Sequence, residues 1–328
     1  MKNKITFVAL CAMLFALCMS AEAQQPTKIP LLGRLGADSP SSADAARREA
    51  FRQALRELGY VEGENIVIEY RYAEGKFDRL PDLATELVRL KVDVILSTGP
   101  TATRAAKGVT TTIPIVMAQD IDPVATGVVA SLARPGGNIT GLAALTPELS
   151  GKRLELLKEV VSKLSRVAVL GTSTLPGYAQ VFKETELTAG TLGVKLQFLD
   201  VLDPKDIETA FRAASKGRAD AVLTLTSAIL LSQRALLADL AVKSRLPAIY
   251  HQSQYVEAGG LMSYGASITD MDHRSATYVD KILKGAKPAD LPVEQPKKFE
   301  FIINLKAAKQ IGLTIPPNVL ARADRVIK

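Results

Sequence analysis

Residues 92–107 read Val-Asp-Val-Ile-Leu-Ser-Thr-Gly-Pro-Thr-Ala-Thr-Arg-Ala-Ala-Lys, which predicts a strand, a polar turn and a helix in immediate succession. The apolar run Val92–Ser97 is typical of a strand buried on both faces. Thr101–Lys107 favours a helix, and Pro100 suits the first helical turn because its missing N–H would have no partner there. A strand followed directly by a helix is the repeating unit of a parallel α/β sheet.

The same unit recurs on both sides of this stretch. Further strands are predicted at Ile29–Leu35, Ile66–Tyr72, Ile113–Ala118, Val167–Gly171, Lys195–Val201, Ala221–Thr226 and Ala248–Tyr250. The helices predicted among them cover Ala43–Leu58, Phe77–Leu90, Tyr178–Leu192, Lys205–Ser215 and Ile229–Ser244. Two groups of four strands indicate two similar Rossmann-like α/β lobes with parallel sheets, and the turn-rich segment Arg134–Asn138 separates them. The length of 328 residues also suits two domains.

The C-terminal part of the chain does not continue the alternation. A strand ends at Tyr264–Gly265, a helix covers Asp270–Leu283, and Lys287–Pro292 is extended and rich in proline. Phe299–Asn304 is a last strand, and a short helix ends at Gly312. Since no third core is available, this part is expected to pack on both lobes, with several chain crossings and a cleft between the lobes.

The N-terminus has the pattern of a secretory signal peptide over residues 1–23. Lys2 and Lys4 precede an apolar run of about 15 residues, shorter than the ~20 that span a bilayer, and a small-residue cleavage site ends at Ala23. Cys18 follows a leucine, not the small residue of a lipoprotein site. We therefore predict a soluble periplasmic protein, cleaved after Ala23 and not a lipoprotein, whose mature chain has no cysteine.

Composition excludes several function classes. The chain has two cysteines, two histidines, no tryptophan and a net charge of +7. Cys/His zinc sites and disulfide scaffolds are excluded, and we expect no metal and no cofactor. Basic residues are interspersed with acids, which argues against nucleic-acid binding. The sequence has no G-x-S-x-G, H-E-x-x-H, P-loop or G-x-G-x-x-G motif, so no enzyme class is indicated.

Polar residues follow several predicted strands, where open α/β sheets bind ligands. Ser97, Thr98, Gly99 and Thr101 offer hydroxyls and free backbone N–H groups at a helix start, which suits an anion, although the same pattern also suits an ordinary polar turn. Asp120 follows the fourth strand and is a candidate for an ammonium or hydroxyl group of a ligand.

The second lobe has a matching set of polar residues, namely Thr224, Thr226 and Ser227 after one strand and Tyr250, His251 and Gln252 after the next. No carboxylate or nucleophile accompanies His251 in the sequence. This favours a hydrogen-bonding or surface histidine over a general base.

Several segments resemble one group of ABC-transporter substrate-binding proteins, which has the type I periplasmic-binding fold and includes tryptophan- and tyrosine-binding members. The segment Leu132–Gly141 (Leu-Ala-Arg-Pro-Gly-Gly-Asn-Ile-Thr-Gly) is similar to a signature of this group. The other matching segments are Gly259–Gly265, Ile282–Val293, Phe299–Lys306 and Gly312–Pro316.

The resemblance implies two lobes that close on a small molecule in the cleft between them and present it to an inner-membrane ABC permease. On this basis the N-terminal lobe comprises residues 24–141 plus 266–292, and the C-terminal lobe comprises 142–265 plus 293–328. The crossings are expected near Thr140–Leu142, Tyr264–Ala266 and Pro292–Pro296. A monomer is expected, with no nucleic-acid partner.

The resemblance also implies roles for the candidate residues. A ligand carboxylate is expected at Ser97, Thr98, Gly99 and Thr101 of the first lobe, with Asp120 or an acid of the other lobe at an ammonium group. The residues Tyr178, Tyr250 and Tyr264 are expected to form a wall against an apolar part of the ligand. The absence of tryptophan weakens the case for an aromatic ligand.

The function that follows is the periplasmic solute-binding component of an ABC importer, with a small carboxylate-bearing ligand such as an amino acid or a related organic acid. Two alternatives remain open at this point. One is a ligand-binding sensor for a histidine kinase or chemoreceptor, which would have the same fold. The other is an exported α/β enzyme, which the shortage of histidine and cysteine makes less favourable.

Overall fold

A computed structural model describes residues 28–37, 42–144, 146–175 and 177–328. The predicted signal peptide, with both cysteines and its cleavage site, lies outside these residues. Within the described ranges, no helix is long and apolar enough to cross a membrane.

The first lobe contains a parallel sheet with helices on both faces. Its elements are β1 (Leu31–Gly36), α1 (Ser42–Glu57), β2 (Val67–Tyr72), α2 (Leu80–Arg89), β3 (Val94–Thr98), α3 (Pro100–Val109), β4 (Ile115–Ile121) and β5 (Ile139–Ala144). The strand order is β2-β1-β3-β4-β5, and all four pairs are parallel. The sequence did not predict β5, because its glycine, threonine and alanine residues do not form the run of bulky side chains that marks the other strands.

The second lobe contains a larger sheet. The elements from its start are α4 (Thr146–Val160), β6 (Arg166–Gly171), α5 (Tyr178–Leu192), β7 (Lys195–Asp200), α6 (Asp206–Lys216), β8 (Ala221–Thr224), α7 (Ala228–Ser232), α8 (Arg234–Lys243), β9 (Ala248–Tyr250), α9 (Ser253–Glu257) and β10 (Met262–Ala266). The chain then forms α10 (Ile268–Leu283), β11 (Phe299–Asn304), α11 (Leu305–Ile311), α12 (Pro317–Leu320) and β12 (Arg325–Ile327). The strand order is β12-β11-β10-β9-β8-β6-β7.

Two α/β lobes with parallel sheets are therefore confirmed, with one exception in strand direction. Strand β11 runs antiparallel to β10, whereas the other neighbouring pairs of both sheets are parallel. The predicted helix Ile229–Ser244 is divided into α7 and α8 at Gln233.

The chain crosses between the lobes slightly later than the sequence suggested. Strand β5 stays in the first sheet to Ala144, and β10 stays in the second sheet to Ala266. Leu142 forms a parallel bridge with Glu294, whose N–H donates to the carbonyl of Gly141 at 3.0 Å. The predicted divisions at 141, 265 and 292 thus lie a few residues before the positions at which the chain stops pairing with one lobe. Residue composition does not reveal where such backbone pairing ends.

The signature segment Leu132–Gly141 leads the chain into β5. The Asn138 amide donates to a carbonyl of the loop after α3 at 2.8 Å, and the Thr140 hydroxyl donates to the carbonyl of Leu291 at 2.6 Å. Gly141 has a φ of +131°, and a Cβ there would lie 2.2 Å from the carbonyl oxygen of Met117 on β4. Glycine is therefore required at this position, because any side chain would collide with the neighbouring strand.

Helix α10 returns the chain to the first lobe and packs on α1. The Arg47 Nε lies 2.6 Å from Asp272 Oδ2, and Arg34 Nη2 lies 3.7 Å from Asp272 Oδ1. All three side chains are buried. Breaking a buried ion pair is strongly destabilising, so the contact between Asp272 and Arg47 holds the returning helix against the first lobe.

Candidate functional site

A cavity of about 770 Å³, measured out to its mouth, lies between the two lobes. Its walls come from the carboxyl ends of β3, β4, β8 and β9, together with α4 and the crossing after β10. This is the edge at which open α/β sheets bind ligands.

The turn after β3 forms part of the first-lobe wall. Thr98, Gly99 and Thr101 line the cavity, and Gly99 has a φ of +100° at the start of α3. Ser97 does not line the cavity: its hydroxyl is buried, 2.9 Å from the hydroxyl of Thr103. The side chain of Ser97 therefore contacts helix α3 on the buried side of the turn and does not face the cavity.

Asp120 at the end of β4 also lines the cavity and is 1% exposed. Neither carboxylate oxygen accepts a hydrogen bond of normal geometry from any described residue. Burial raises the pKa of Asp120 from 3.8 to about 6, and weaker contacts from Thr103 and the backbone of Ile121 offset only part of that effect. The site thus contains a buried carboxylate that forms no ion pair with a described residue.

Arg153 of α4 is a charged residue of this site that its local sequence does not mark. It lines the cavity and is 1% exposed, yet it forms no ion pair with any described residue. Its Nη1 reaches the carbonyl of Thr224 at only 3.5 Å, and its Nε has no hydrogen-bond partner. Burial lowers the pKa of Arg153 to about 10, so the guanidinium remains charged at neutral pH.

His251, after β9, lies beside Arg153 in the second-lobe wall. It is buried, and its ring packs edge-on against Tyr255 with the centroids 5.2 Å apart. Neither ring nitrogen has a hydrogen-bond partner among the described residues. Burial, assisted by the charge of Arg153, lowers the pKa of His251 to about 3, so the ring is neutral at pH 7. The sequence favoured a hydrogen-bonding or surface histidine, and the structure instead buries this ring at the cavity.

The other polar candidates of the second lobe divide into two groups. Thr226, Ser227 and Gln252 line the cavity. The Ser227 hydroxyl lies 2.7 Å from that of Thr172 and caps α7. Thr224 lies behind the wall, where its carbonyl faces Arg153.

The three candidate tyrosines lie outside the lining of this cavity. Tyr178 packs against Phe198 and borders a separate small cavity. Tyr250 is buried and stacks on Tyr255, with the ring centroids 4.7 Å apart, and Tyr264 packs on β11. Consequently no phenylalanine or tyrosine is found among the described residues that line this cavity between the lobes.

Comparison with known proteins gives one family and several similar structures. The model of the family described as ABC transporter substrate binding protein matches residues 39–327. The chain is 27% identical over 278 residues to a tyrosine-binding protein of Clostridioides difficile strain R20291, covering 83% of this chain and 78% of that protein. The resemblance seen in the sequence is thereby confirmed.

Two solved structures have the same fold over most of the chain. One is a conserved domain protein from Vibrio cholerae, with 29% identity and a TM-score of 0.85 over 91% of this chain and 100% of that one. The other is an ABC domain in complex with L-Trp from Streptococcus pneumoniae, with 25% identity and a TM-score of 0.82 over 90% of this chain and 100% of that one.

Proposed function

The chain belongs to the family of ABC transporter substrate-binding proteins, and from that premise we propose that it is the periplasmic solute-binding component of an ABC importer. In this role it captures a small carboxylate-bearing ligand by closing its two lobes, and it delivers that ligand to an inner-membrane permease. It acts as an exported monomer and carries out no chemical step.

The observation that supports a carboxylate ligand is Arg153. A buried guanidinium without a counter-ion is unfavourable, whereas an arginine that meets a carboxylate forms two parallel charge-assisted hydrogen bonds. The neutral ring of His251 next to it adds a donor without adding charge. A ligand carboxylate at this wall therefore satisfies groups that the protein leaves without partners.

The export step is supported by the N-terminal sequence. The basic residues, the short apolar run and the small-residue site ending at Ala23 form the pattern of a cleaved signal peptide. Mass spectrometry of the protein from the periplasmic fraction of an expressing bacterium tests this. An N-terminus at Gln24 is expected, and a retained N-terminal segment would contradict export by cleavage.

The ligand class is tested by thermal shift and calorimetry with a panel of amino acids and organic acids. Carboxylates that bind should raise the melting temperature, because a ligand that binds only the folded state stabilises it. The variant Arg153→Met should lose this response, whereas Lys152→Met should keep it. Lys152 precedes Arg153 on α4, is partly exposed, and pairs with Glu155. If the whole panel leaves the wild-type melting temperature unchanged, the carboxylate ligand is excluded.

A further inference from the structure

The fold gathers basic residues at the end of the second lobe that lies opposite the cavity. The carboxyl ends of β8 and β9 line the cavity, so the amino ends of these strands lie at the other end of the sheet. Strand β11 runs antiparallel to β10 and therefore finishes at that same end. Five strands have an exposed lysine or arginine there, namely Lys306 after β11, Arg245 before β9, Arg218 before β8, Lys163 before β6 and Lys195 at the start of β7.

These five side chains, termed the basic end, follow the order of the strands across the sheet. That order is β11-β10-β9-β8-β6-β7, and neighbouring strands lie ~4.8 Å apart, so the row is about 24 Å long. The five residues are far apart in the sequence. For this reason the sequence shows basic residues interspersed with acids, whereas the fold places these five along one edge of the sheet.

The charges of the basic end are not neutralised within the part of the chain that the structure describes. None of the five side chains forms an ion pair with a described residue. Two acidic side chains near this end already have partners. Asp220 accepts hydrogen bonds from the backbone N–H groups of Ser165 and Arg166, both at 2.8 Å, and Asp239 pairs with Lys243 at 2.7 Å.

Helix dipoles explain only some of the basic residues at this end. Lys216 and Lys243 lie in the last turns of α6 and α8, where a cation stabilises the negative end of the helix. Lys163 lies in a loop and Lys195 begins a strand. Lys306 lies in the first turn of α11, where the helix dipole disfavours a cation. These last three charges therefore call for a partner outside the described chain.

The cations extend beyond a single row. Lys216 ends α6 and the exposed Lys309 lies in the last turn of α11, and these two helices pack on opposite faces of the sheet. The positive charge is thus spread over the sheet and over a helical layer on each side of it. A linear polyanion would follow one row of these cations, whereas a flat anionic surface would meet all three layers at once.

We propose that the basic end binds the surface of an anionic phospholipid bilayer. The attraction is electrostatic and acts on each cation that comes within about one Debye length of the surface, ~10 Å at 0.1 M salt. Because the cavity lies at the opposite end of the lobe, a bilayer at the basic end does not cover it. The inference goes beyond the proposed function, and it holds for whichever ligand the cavity takes.

Vesicle co-sedimentation of protein from the periplasmic fraction tests the proposal. Vesicles of phosphatidylglycerol and phosphatidylcholine are compared with vesicles of phosphatidylcholine alone. At about 0.05 M NaCl the protein should bind the anionic vesicles at least about tenfold more tightly than the neutral ones, and about 0.5 M NaCl should abolish the difference by screening. No preference for the anionic vesicles at low salt would overturn the proposal.

A triple variant shows whether the basic end makes the contact. Lys163→Gln, Lys195→Gln and Lys306→Gln are combined in one protein. Each lysine close to an anionic bilayer strengthens binding by about fivefold, so the triple variant should bind the anionic vesicles at least about tenfold more weakly than the wild type. Its melting temperature should equal that of the wild type, since all three side chains are exposed and form no ion pair with a described residue.

The matched control removes the same charge from the first lobe. Lys76→Gln, Lys91→Gln and Lys287→Gln are combined, because these lysines are also exposed and form no ion pair with a described residue. The control should weaken vesicle binding by less than about threefold. An equal loss in both triple variants would overturn the assignment to the basic end, because net charge alone would then explain the binding.

Two further measurements complete the test. Binding to poly-L-glutamate at low salt, with none to the anionic vesicles, would overturn the bilayer in favour of a linear polyanion. The triple variant at the basic end should keep the thermal-shift response of the wild type to the carboxylate panel, since none of its three positions lines the cavity. Failure of that panel would exclude the carboxylate ligand and leave the result with vesicles unaffected.

Discussion

Replacing Asp120 with asparagine should stabilise the ligand-free protein while it weakens the binding of a ligand that carries an ammonium group. The buried carboxylate has its pKa raised from 3.8 to about 6, which corresponds to a cost of about 3 kcal/mol in the ionised form at 1.36 kcal/mol per pKa unit. Asparagine has nearly the same shape and no charge. Its amide also needs hydrogen-bond partners, so we expect a net gain of about 1–3 kcal/mol at pH 7.

The pH dependence of this gain is its diagnostic feature. Well below pH 3.8 the carboxyl of Asp120 is protonated in both the folded and the unfolded chain, and the variant and the wild type should have nearly equal stability. Between about pH 4 and pH 6 the unfolded chain ionises first, so the wild type loses stability relative to the variant as the pH rises. Above pH 6 the difference should be constant.

Urea unfolding of both proteins between pH 3.5 and 8, without ligand, measures this difference. Arg104, Asp122, Arg153 and His251 are present in both proteins, so their own titrations largely cancel in the comparison. A gain in stability that is independent of pH, or a variant less stable than the wild type at pH 7, would refute the view that the buried, ionised carboxylate of Asp120 destabilises the ligand-free protein.

Three further predictions concern stability, each checked by denaturant unfolding. Gly141→Ala should lower the free energy of unfolding by about 3 kcal/mol or more, because the residue has a φ of +131° and its new Cβ would collide with the neighbouring strand. The control Gly137→Ala should fold normally, because no atom lies within 4 Å of the position of its new Cβ. Asp272→Asn should lower the free energy of unfolding by about 3–5 kcal/mol, because it breaks the buried ion pair with Arg47. The exposed Asp239→Asn should change it by less than about 0.5 kcal/mol. His251→Phe should make the stability of the protein less sensitive to acid. Because the pKa of His251 is lowered from 6.5 to about 3, the wild type loses up to about 5 kcal/mol of stability as the pH falls from 6.5 to 3, and the variant should not show this loss.

The sequence predicted those parts of the fold that depend on local pattern. The strand and turn at 92–101 were recognisable because a buried apolar run, a glycine and a proline are consecutive in the chain. The antiparallel direction of β11 and the bridge between Leu142 and Glu294 were not predictable in this way. Both depend on pairing between segments that are far apart in the chain, and single-segment composition contains no information about the partner.

The candidate site was predicted in part for the same reason. Thr98, Thr101 and Asp120 lie at or shortly after the carboxyl ends of strands, so their place at the sheet edge could be inferred. Arg153 lies in the middle of a helix among other charged residues, and only its spacing within the apolar stripe of α4 distinguishes it. It is three residues after the buried Ser150 and four before the buried Leu157, which is the period of a buried helical face.

The division of the two charges between the lobes also has a consequence for closure. A ligand stabilises a closed state only by the difference between its affinities for the closed and open states. If Asp120 and Arg153 lay on the same lobe, a zwitterion would satisfy both without bringing the lobes together, and its charges would contribute nothing to that difference. Because the structure places Asp120 at the end of β4 and Arg153 on α4, both charges are compensated only when the ligand contacts both lobes at once. A deaminated or amidated ligand that still bound one wall should therefore close the lobes less than the parent amino acid. Small-angle scattering of the protein saturated with each ligand measures this as a smaller decrease in radius of gyration.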